Sequence, residues 1–332
     1  PGVGLEHPEN APDPLGLSDA WGPVLDVWEG HATDPAVRFA GSSGGVATAL
    51  GIAALGEDFA GVLHIRSRDD EPLLNETTVS RTPAEVLEAS GSRYAPASPC
   101  DGLREAIDHD RPIAFIGKPC DVAAVRKATA AGFPGLELHV GITVAIFCAG
   151  APSTEGTMKM LADMGVTPPT AAESVRYRGM GWPGNAAVSV GGEIVAEQTY
   201  EQSWSLLQRY RPWRCRVCAD HTGEFADIAV GDPWYRPPRA DEPGSSLIVA
   251  RTQRGRDFLL AAEAAGLIEM RPAPADIIAR SQPNLLRARG EVWGRITASR
   301  LLLMPTPKYR NMPMFRHWMS ELSVSQKFGS FA

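Results

Sequence analysis

Short apolar runs alternate with longer helical stretches along most of the chain. Val24–Trp28 reads as a strand, and Gly41-Ser42-Ser43-Gly44-Gly45 turns the chain into an apolar helical segment from Val46 to about Leu55. Phe59–Ile65 is a short apolar run consistent with a buried strand, and Asn75–Ser80, rich in Thr and Val, reads as another. Thr82-Pro83-Ala84-Glu85 has the capping-box form with Pro at the first helical position, so a helix starts there. The alternation then repeats: strand Pro112–Ile116, helix Asp121–Ala131, strand Leu138–Phe147, and helix Ser153–Met164 with Ser153 as N-cap.

Beyond Thr170 the texture changes. Val175–Tyr177, Ala187–Val190 and Glu193–Ala196 read as short strands, the last two joined by Gly191-Gly192 in a hairpin. Strands at Ile228–Val230 and Ser246–Ala250, a helix over about Gly255–Ala265 and a mostly helical end complete the pattern. The expected fold is α/β, mixed α+β in the C-terminal half, a layered sheet with flanking helices. The expected division is an extended arm over 1–23, where five prolines interrupt any period, a Ser-Gly-Gly subdomain over 24–80, and a larger subdomain over 81–332 ending in a helical tail.

Charge and composition narrow the function. A formal net charge of −7 argues against a general affinity for nucleic acid, which needs a basic face. Basic residues do gather at Arg209, Arg211, Arg214 and Arg216; such a run suits an anionic ligand, an acidic redox partner or a solvated face. No apolar stretch approaches the roughly 18–20 residues of a membrane span, and no signal-peptide pattern opens the chain, so a cytoplasmic location is expected.

The five cysteines carry the sharpest chemistry. Cys215 and Cys218 are three positions apart, a spacing that lets two thiolates reach one centre and recurs in zinc and iron–sulfur sites. The pair sits in a stretch that reads as loop, unlike a thioredoxin-type dithiol. Cys120 comes just after one apolar strand and Cys148 just after the next. If those strands are parallel neighbours, both sulfurs emerge at the carboxyl edge of the sheet, where open α/β sheets bind ligands. With the close pair they supply four thiolates for one shared centre; Cys100 is the spare, or replaces one of the four. The Ser42–Val46 turn before an apolar helix suits an anion. It matches neither the Rossmann fingerprint nor the P-loop pattern, so a Rossmann dinucleotide fold is not expected.

Taken in order, these motifs resemble one family. Ser42-Ser43-Gly44-Gly45-Val46-Ala47-Thr48-Ala49-Leu50 resembles its Ser-Gly-Gly block, and Gly91-Ser92-Arg93-Tyr94 its Ser-Lys-Tyr block, with Arg in place of Lys. Gly117-Lys118-Pro119-Cys120-Asp121, Ile146-Phe147-Cys148 and Tyr177-Arg178-Gly179-Met180-Gly181-Trp182-Pro183 come next, then the run from Cys215 and Cys218 to Gly231-Asp232-Pro233-Trp234. The family is that of the coenzyme F420 hydrogenase/dehydrogenase beta subunits, with reductases of chlorophyll intermediates among its members.

The resemblance implies an oxidoreductase with FAD and a 4Fe-4S cluster. Ferredoxin or another redox subunit would supply single electrons, and the flavin would pass hydride to an unsaturated small molecule. An electron-transfer subunit that reduces or oxidises F420 within a larger complex is the alternative, with F420 then a substrate. A scaffold subunit holding structural zinc is a rival of another class. By position, Cys120, Cys148, Cys215 and Cys218 would hold the cluster. Ser42, Ser43, Gly44, Gly45, Thr48, Ser92, Arg93 and Lys118 would face the flavin, with Tyr94, Lys118 and His221 as proton sources. Trp182, Trp213 and Trp234 are candidates to wall a flat cofactor. Two departures stand out: the closely spaced four-cysteine ferredoxin-like segment of many members is missing from this sequence, and Gly-Lys-Pro-Cys-Asp replaces a Thr and a Gln common elsewhere. An oligomer is compatible with the sequence.

Overall fold

The computed structural model describes residues 4–8, 12–56, 59–239 and 241–331. Its centre is an eight-stranded mixed sheet. From one edge to the other the strands are Ile268–Pro272, Asp26–Ala32, Ser246–Ala250, Ile228–Gly231, Val140–Ile146, Ile113–Gly117, Val62–Ser67 and Asn75–Ser80. The four from Ile228–Gly231 to Val62–Ser67 are mutually parallel, and the outer pairings are antiparallel. Strands on either side of residue 80 share this one sheet.

Both faces of the sheet are covered, because side chains alternate and both sets are apolar. Phe115 and Ala145 belong to the core on one face, with Val122 and Val125 of helix Pro119–Ala130. Ala114 and Val144 belong to the other, with helix Val46–Gly56 and Leu259 of helix Gln253–Ala264. Helix Val46–Gly56 is apolar all round because it is buried by the sheet and by its neighbours, not stranded at a surface. All five residues of Ser246–Ala250 are buried, which explains the unbroken apolar run there.

A second, three-stranded antiparallel sheet (Ser174–Arg176, Ala186–Val190, Glu193–Gln198) packs on helices Thr154–Asp163 and Tyr200–Leu207 through Val188, Met160 and Leu207. The hairpin expected at Gly191-Gly192 is present, with both glycines at positive φ. The N-terminal segment carries more structure than the word arm suggests. Gly4–Glu6 pairs in parallel with Lys308–Arg310, and Ser18–Trp21 forms a helical turn.

Local differences from the sequence reading have simple causes. The Thr82–Glu85 capping box forms as its spacing predicts. Ser153 occupies the N-cap position, but its side chain makes no capping bond. Leu138 and His139 lie in a helical turn before the strand begins at Val140, since Leu136 must turn inward to reach the core. Cys215 sits in a one-turn helix, Trp213–Arg216, instead of in loop.

Candidate functional site

Three adjacent parallel strands end together. Gly117 is level with Ala145, and Ile146 with Val230, so the chain leaves the sheet at one carboxyl edge three times over. Each exit carries a motif: Lys118-Pro119-Cys120, Phe147-Cys148, and Asp232-Pro233-Trp234. This edge is where the open sheets of α/β proteins expose unpaired strand ends and helix N-termini to ligands.

A cavity of about 280 Å³, open on one side, lies along it. That is near the lower end of the range for small-molecule sites, roughly 300–1,000 Å³. At one end Ser42, Ser43, Gly45 and Thr48 form the wall, where the first turn of helix Val46–Gly56 leaves amides without intrahelical partners. Gly44 is set back. A Cβ there would stand 2.8 Å from the Ser245 Cα, so it serves close backbone packing.

Gly45 has φ +74°, and a Cβ on it would stand 2.5 Å from the Val37 carbonyl oxygen. Gly45→Ala is therefore expected to lower stability by about 1–2 kcal/mol from backbone conformation alone, with the backbone contact adding to it. Urea denaturation checks this. Gly56→Ala, where a Cβ meets nothing within 4 Å, is the control and should not lower the midpoint.

Sequence-distant motifs meet at Ser42. Its hydroxyl oxygen accepts hydrogen bonds from the Ser92 amide (2.8 Å) and the Ser92 hydroxyl (2.9 Å), and its carbonyl accepts one from Arg178 (2.7 Å). Arg178 is buried and pairs bidentately with Asp232 at 2.6 and 3.0 Å. Burial alone would lower the Arg178 pKa, but Asp232 more than offsets it, so the guanidinium stays charged. Its plane lies 4.6 Å over the Tyr200 ring, which stacks on Trp234 at 5.5 Å. Tyr94 also lines the cavity, tilted against Trp204 at 5.0 Å, and burial raises its hydroxyl pKa. Tyr200, Trp204 and His64 are lining residues that sequence reasoning missed. Tyr200 and Trp204 come from a helix beyond the hairpin, and nothing local in the sequence marks them.

Arg93 touches the cavity, but its guanidinium is occupied. It donates to Asn75 Oδ1 (2.7 Å) and to the carbonyls of Val175 (2.8 Å) and Pro72 (2.7 Å), tying the second sheet to the first. His64 is buried and hydrogen-bonded to Ser80 at 2.7 Å; burial pushes its pKa down to about 4. A histidine held neutral in this way contributes stability that is complete above its unfolded value of about 6.5 and is lost as pH falls from there toward 4. Between pH 7 and pH 5 the wild-type protein should lose about 2 kcal/mol through this group. His64→Gln should flatten that part of the urea-midpoint profile.

A second, smaller cavity of about 40 Å³ adjoins the first. It is lined by Cys120, Cys148, Cys215 and Cys218, with Arg214, Asp220 and His221 beside them. Lys118, Cys148, Gly150 and Ala151 line both cavities, so the two share a wall. The parallel adjacency expected of the strands before Cys120 and Cys148 is present. The Gly150 amide donates to Cys148 Sγ (3.3 Å) and the Ala151 amide to Cys215 Sγ (3.5 Å), while Cys218 Sγ donates to the Asp220 carbonyl (3.2 Å). Burial pushes the Cys148 thiol up to about 12 and that of Cys120 to about 11, neighbouring thiolates and Asp121 adding to it. Among the described residues no three His, Cys, Asp or Glu side chains converge tightly enough to ligate one ion. The four thiols surround the cavity without meeting at a point.

Cys100 is outside this ring and donates to the Asp121 carbonyl at 3.5 Å. His221 lies with the thiols, its Nδ1 on the Cys148 carbonyl at 3.0 Å, and does not line the larger cavity. Lys118 Nζ is 2.7 Å from Asp121; burial lowers its pKa, but Asp121 raises it further, so the ammonium is held charged at the shared wall. Of the tryptophans, Trp234 lines the larger cavity, Trp182 packs on it at 5.0 Å, and Trp213 is half-exposed outside both.

Fold and site together define a layered α/β protein with an open cavity and a four-thiol pocket side by side on one sheet edge. The chain belongs to the coenzyme F420 hydrogenase/dehydrogenase beta subunit family, a family of oxidoreductase subunits: the family's N-terminal model matches residues 27–103 and its C-terminal model residues 110–276. It is similar to the coenzyme F420 hydrogenase subunit beta of Methanosarcina barkeri, 27% identical over 263 residues, 73% of this chain and 80% of that one. The corresponding subunit of Methanococcus voltae is 24% identical over 72% of this chain and 81% of its own length. Among solved structures, a chain of the F420-reducing [NiFe] hydrogenase complex from Methanosarcina barkeri has the same fold. Its TM-score is 0.66 at 23% identity, covering 84% of this chain and 94% of that one. Among the described residues no helix is long and apolar enough to cross a membrane.

Proposed function

We propose that this chain is the electron-transfer subunit of an F420-linked oxidoreductase, with FAD in the larger cavity and a 4Fe-4S cluster held by Cys120, Cys148, Cys215 and Cys218. The observation that carries this reading is the wall shared by the two cavities at Cys148, Lys118, Gly150 and Ala151. Bound there, a cluster supplies one-electron chemistry and a flavin two-electron chemistry, and adjacency is what exchange between them needs.

The residues present fit both groups. Four thiols around a cavity suit a cubane better than a single zinc ion, which needs all four sulfurs about 2.3 Å from one point. The amides aimed at Cys148 and Cys215 would stabilise thiolate sulfur and tune its potential. The glycine turn and first helical turn would hold an anionic phosphate end, while Trp204, Tyr200 and Trp234 would wall a flat ring system. Lys118, kept charged by Asp121, would hold negative charge at the wall between the two sites. Tyr94 and Tyr200 keep their protons and line the cavity, so either can hydrogen-bond to, or hand a proton to, a substrate there. The names of the relatives support F420 as the two-electron partner over an unrelated unsaturated substrate.

The test is an anaerobic absorption spectrum with iron, sulfide and flavin analysis on the purified chain, followed by F420 turnover with an artificial one-electron donor. About four irons and one flavin per chain with F420 turnover support the reading. Colourless protein with stoichiometric zinc after anaerobic reconstitution sinks it. A loaded protein that reduces other unsaturated compounds but not F420 favours the stand-alone reductase.

A further inference from the structure

We infer that the arginine-rich turn at the mouth of the thiol pocket is the docking face for an acidic, single-electron carrier protein. This inference names a partner for the proposed redox centre and rests on that reading. Arg209, Arg211, Arg214 and Arg216 fall within eight residues of a chain whose net charge is −7. Among the described residues none of the four forms an ion pair with a carboxylate. Their proximity is physical as well as sequential. Arg216 and Arg295 both press on the charge of Arg211, and Arg214 does so on Lys127. The nearby acid, Glu291, is committed to Arg295 at 2.5 Å, and Asp121 to Lys118. No carboxylate among the described residues pairs with these four charges and a thiolate-held cluster would offset them only in part, so a partner that supplies further negative charge gains by binding here.

The geometry fits electron exchange. The turn Trp213–Arg216 carries Arg214, Arg216 and Cys215 together, Arg209 and Arg211 come from the turn just before it, and Arg214 lines the thiol pocket. Cys120 lines the same pocket and is the most exposed of its four cysteines as a residue, though its sulfur is part-buried. Trp213, 49% exposed, stands among the arginines and offers the aromatic anchor that charged interfaces use at their centre. A protein docked on this face would bring its own redox centre up to the thiol pocket, which Arg214 lines. A small anion would need the guanidinium groups turned inward on one point. Arg211 instead donates to the carbonyls of Ala149 and Gln208, while Arg209 is exposed and Arg216 half-exposed.

The test uses the anaerobically purified full chain and two acidic carriers, a plant-type ferredoxin and a flavodoxin, with affinity measured by titration calorimetry at low and high salt. Wild-type protein should bind at least one carrier, with affinity falling steeply as salt shortens the screening length. Arg209→Glu/Arg216→Glu should weaken binding at low salt by about tenfold or more and flatten the salt dependence, with circular dichroism and iron content unchanged. Trp213→Ala should weaken it with the salt dependence retained. If wild type and the double variant bind both carriers alike, or neither carrier binds wild type at low salt, the inference is overturned. It also fails if inorganic phosphate occupies the face at micromolar concentration and excludes the carriers. The two readings fail separately: a protein with its iron that binds no carrier sinks the docking face alone, and a colourless protein that still binds carriers through these arginines sinks the cofactor reading.

Discussion

Cys218→Ser is expected to lower bound iron from about four per chain to less than about one, and to abolish the broad visible absorption with it. Cys218 is half-buried and lines the small cavity, its sulfur 3.2 Å from the Asp220 carbonyl. Burial and then Asp220 push its thiol well above the ordinary range, so without a metal this group is a neutral thiol in an apolar pocket. Metal binding has to displace that proton, and only a soft sulfur ligand recovers the cost through bonding. A serine oxygen at the same place recovers little. Cys100→Ser is the discriminating control, because Cys100 lies outside the four-thiol cavity and should leave iron content unchanged. Iron and sulfide analysis of anaerobically purified variants decides the matter. Full iron in the Cys218 variant, or its loss in the Cys100 variant, would remove the proposed ligand set.

Glu224→Gln should lower the free energy of unfolding by about 3–5 kcal/mol, the range for breaking a buried ion pair from one side. The Glu224 carboxylate is almost wholly buried and receives His7 Nε2 at 2.5 Å and Arg289 at 2.9 Å on the same oxygen. Burial alone would raise its pKa, but Arg289, His7 and Arg251 together hold it down to about 2. Its glutamine replacement leaves Arg289 and Arg251 charged in the interior with Asp220 alone as nearby countercharge. The sign of the pH effect comes from the depressed value. Glu224 contributes fully above its unfolded pKa of about 4.5, and that contribution is lost as pH falls toward 2. Urea denaturation at pH 7 measures the loss, with Asp276→Asn, whose pair with Arg280 is exposed on both sides, as a control expected to cost under about 1 kcal/mol. An unfolding free energy within about 1 kcal/mol of wild type would show that the pair is not what braces this region.

The position of the Glu224 network explains why it matters. His7 comes from the N-terminal segment and stacks on Phe225 at 4.6 Å, Arg289 comes from helix Pro283–Leu301, and Arg251 reaches the carbonyls of Trp21, Pro23 and Thr222. Asp220, between Cys218 and Glu224, accepts the amides of Thr222, Gly223 and Glu224. The loop after the Cys215–Cys218 pair is thus held from behind by side chains as distant in sequence as His7, 217 positions from Glu224.

By itself the sequence determined the elements and the chemical inventory. Apolar runs of strand length succeeded by helical periods specify an α/β layer, because each strand must bury both faces and each helix one. The Thr82–Glu85 cap and the Gly191-Gly192 turn are local choices that local residues make alone. Cys120 and Cys148 were legible as partners because both come directly after strands of the same kind. Tertiary structure alone decided what meets what. Strand order brings the edge after Gly117 beside those after Ile146 and Gly231. Long-range bonds seat Ser92 and Arg178 on Ser42 and commit Arg93 to bracing. Helix packing brings Tyr200 and Trp204 to the cavity and leaves His221 with the thiols. Periodicity reports which face of an element is buried; it carries no record of the neighbour that buries it, since any apolar surface of the right shape satisfies the same pattern.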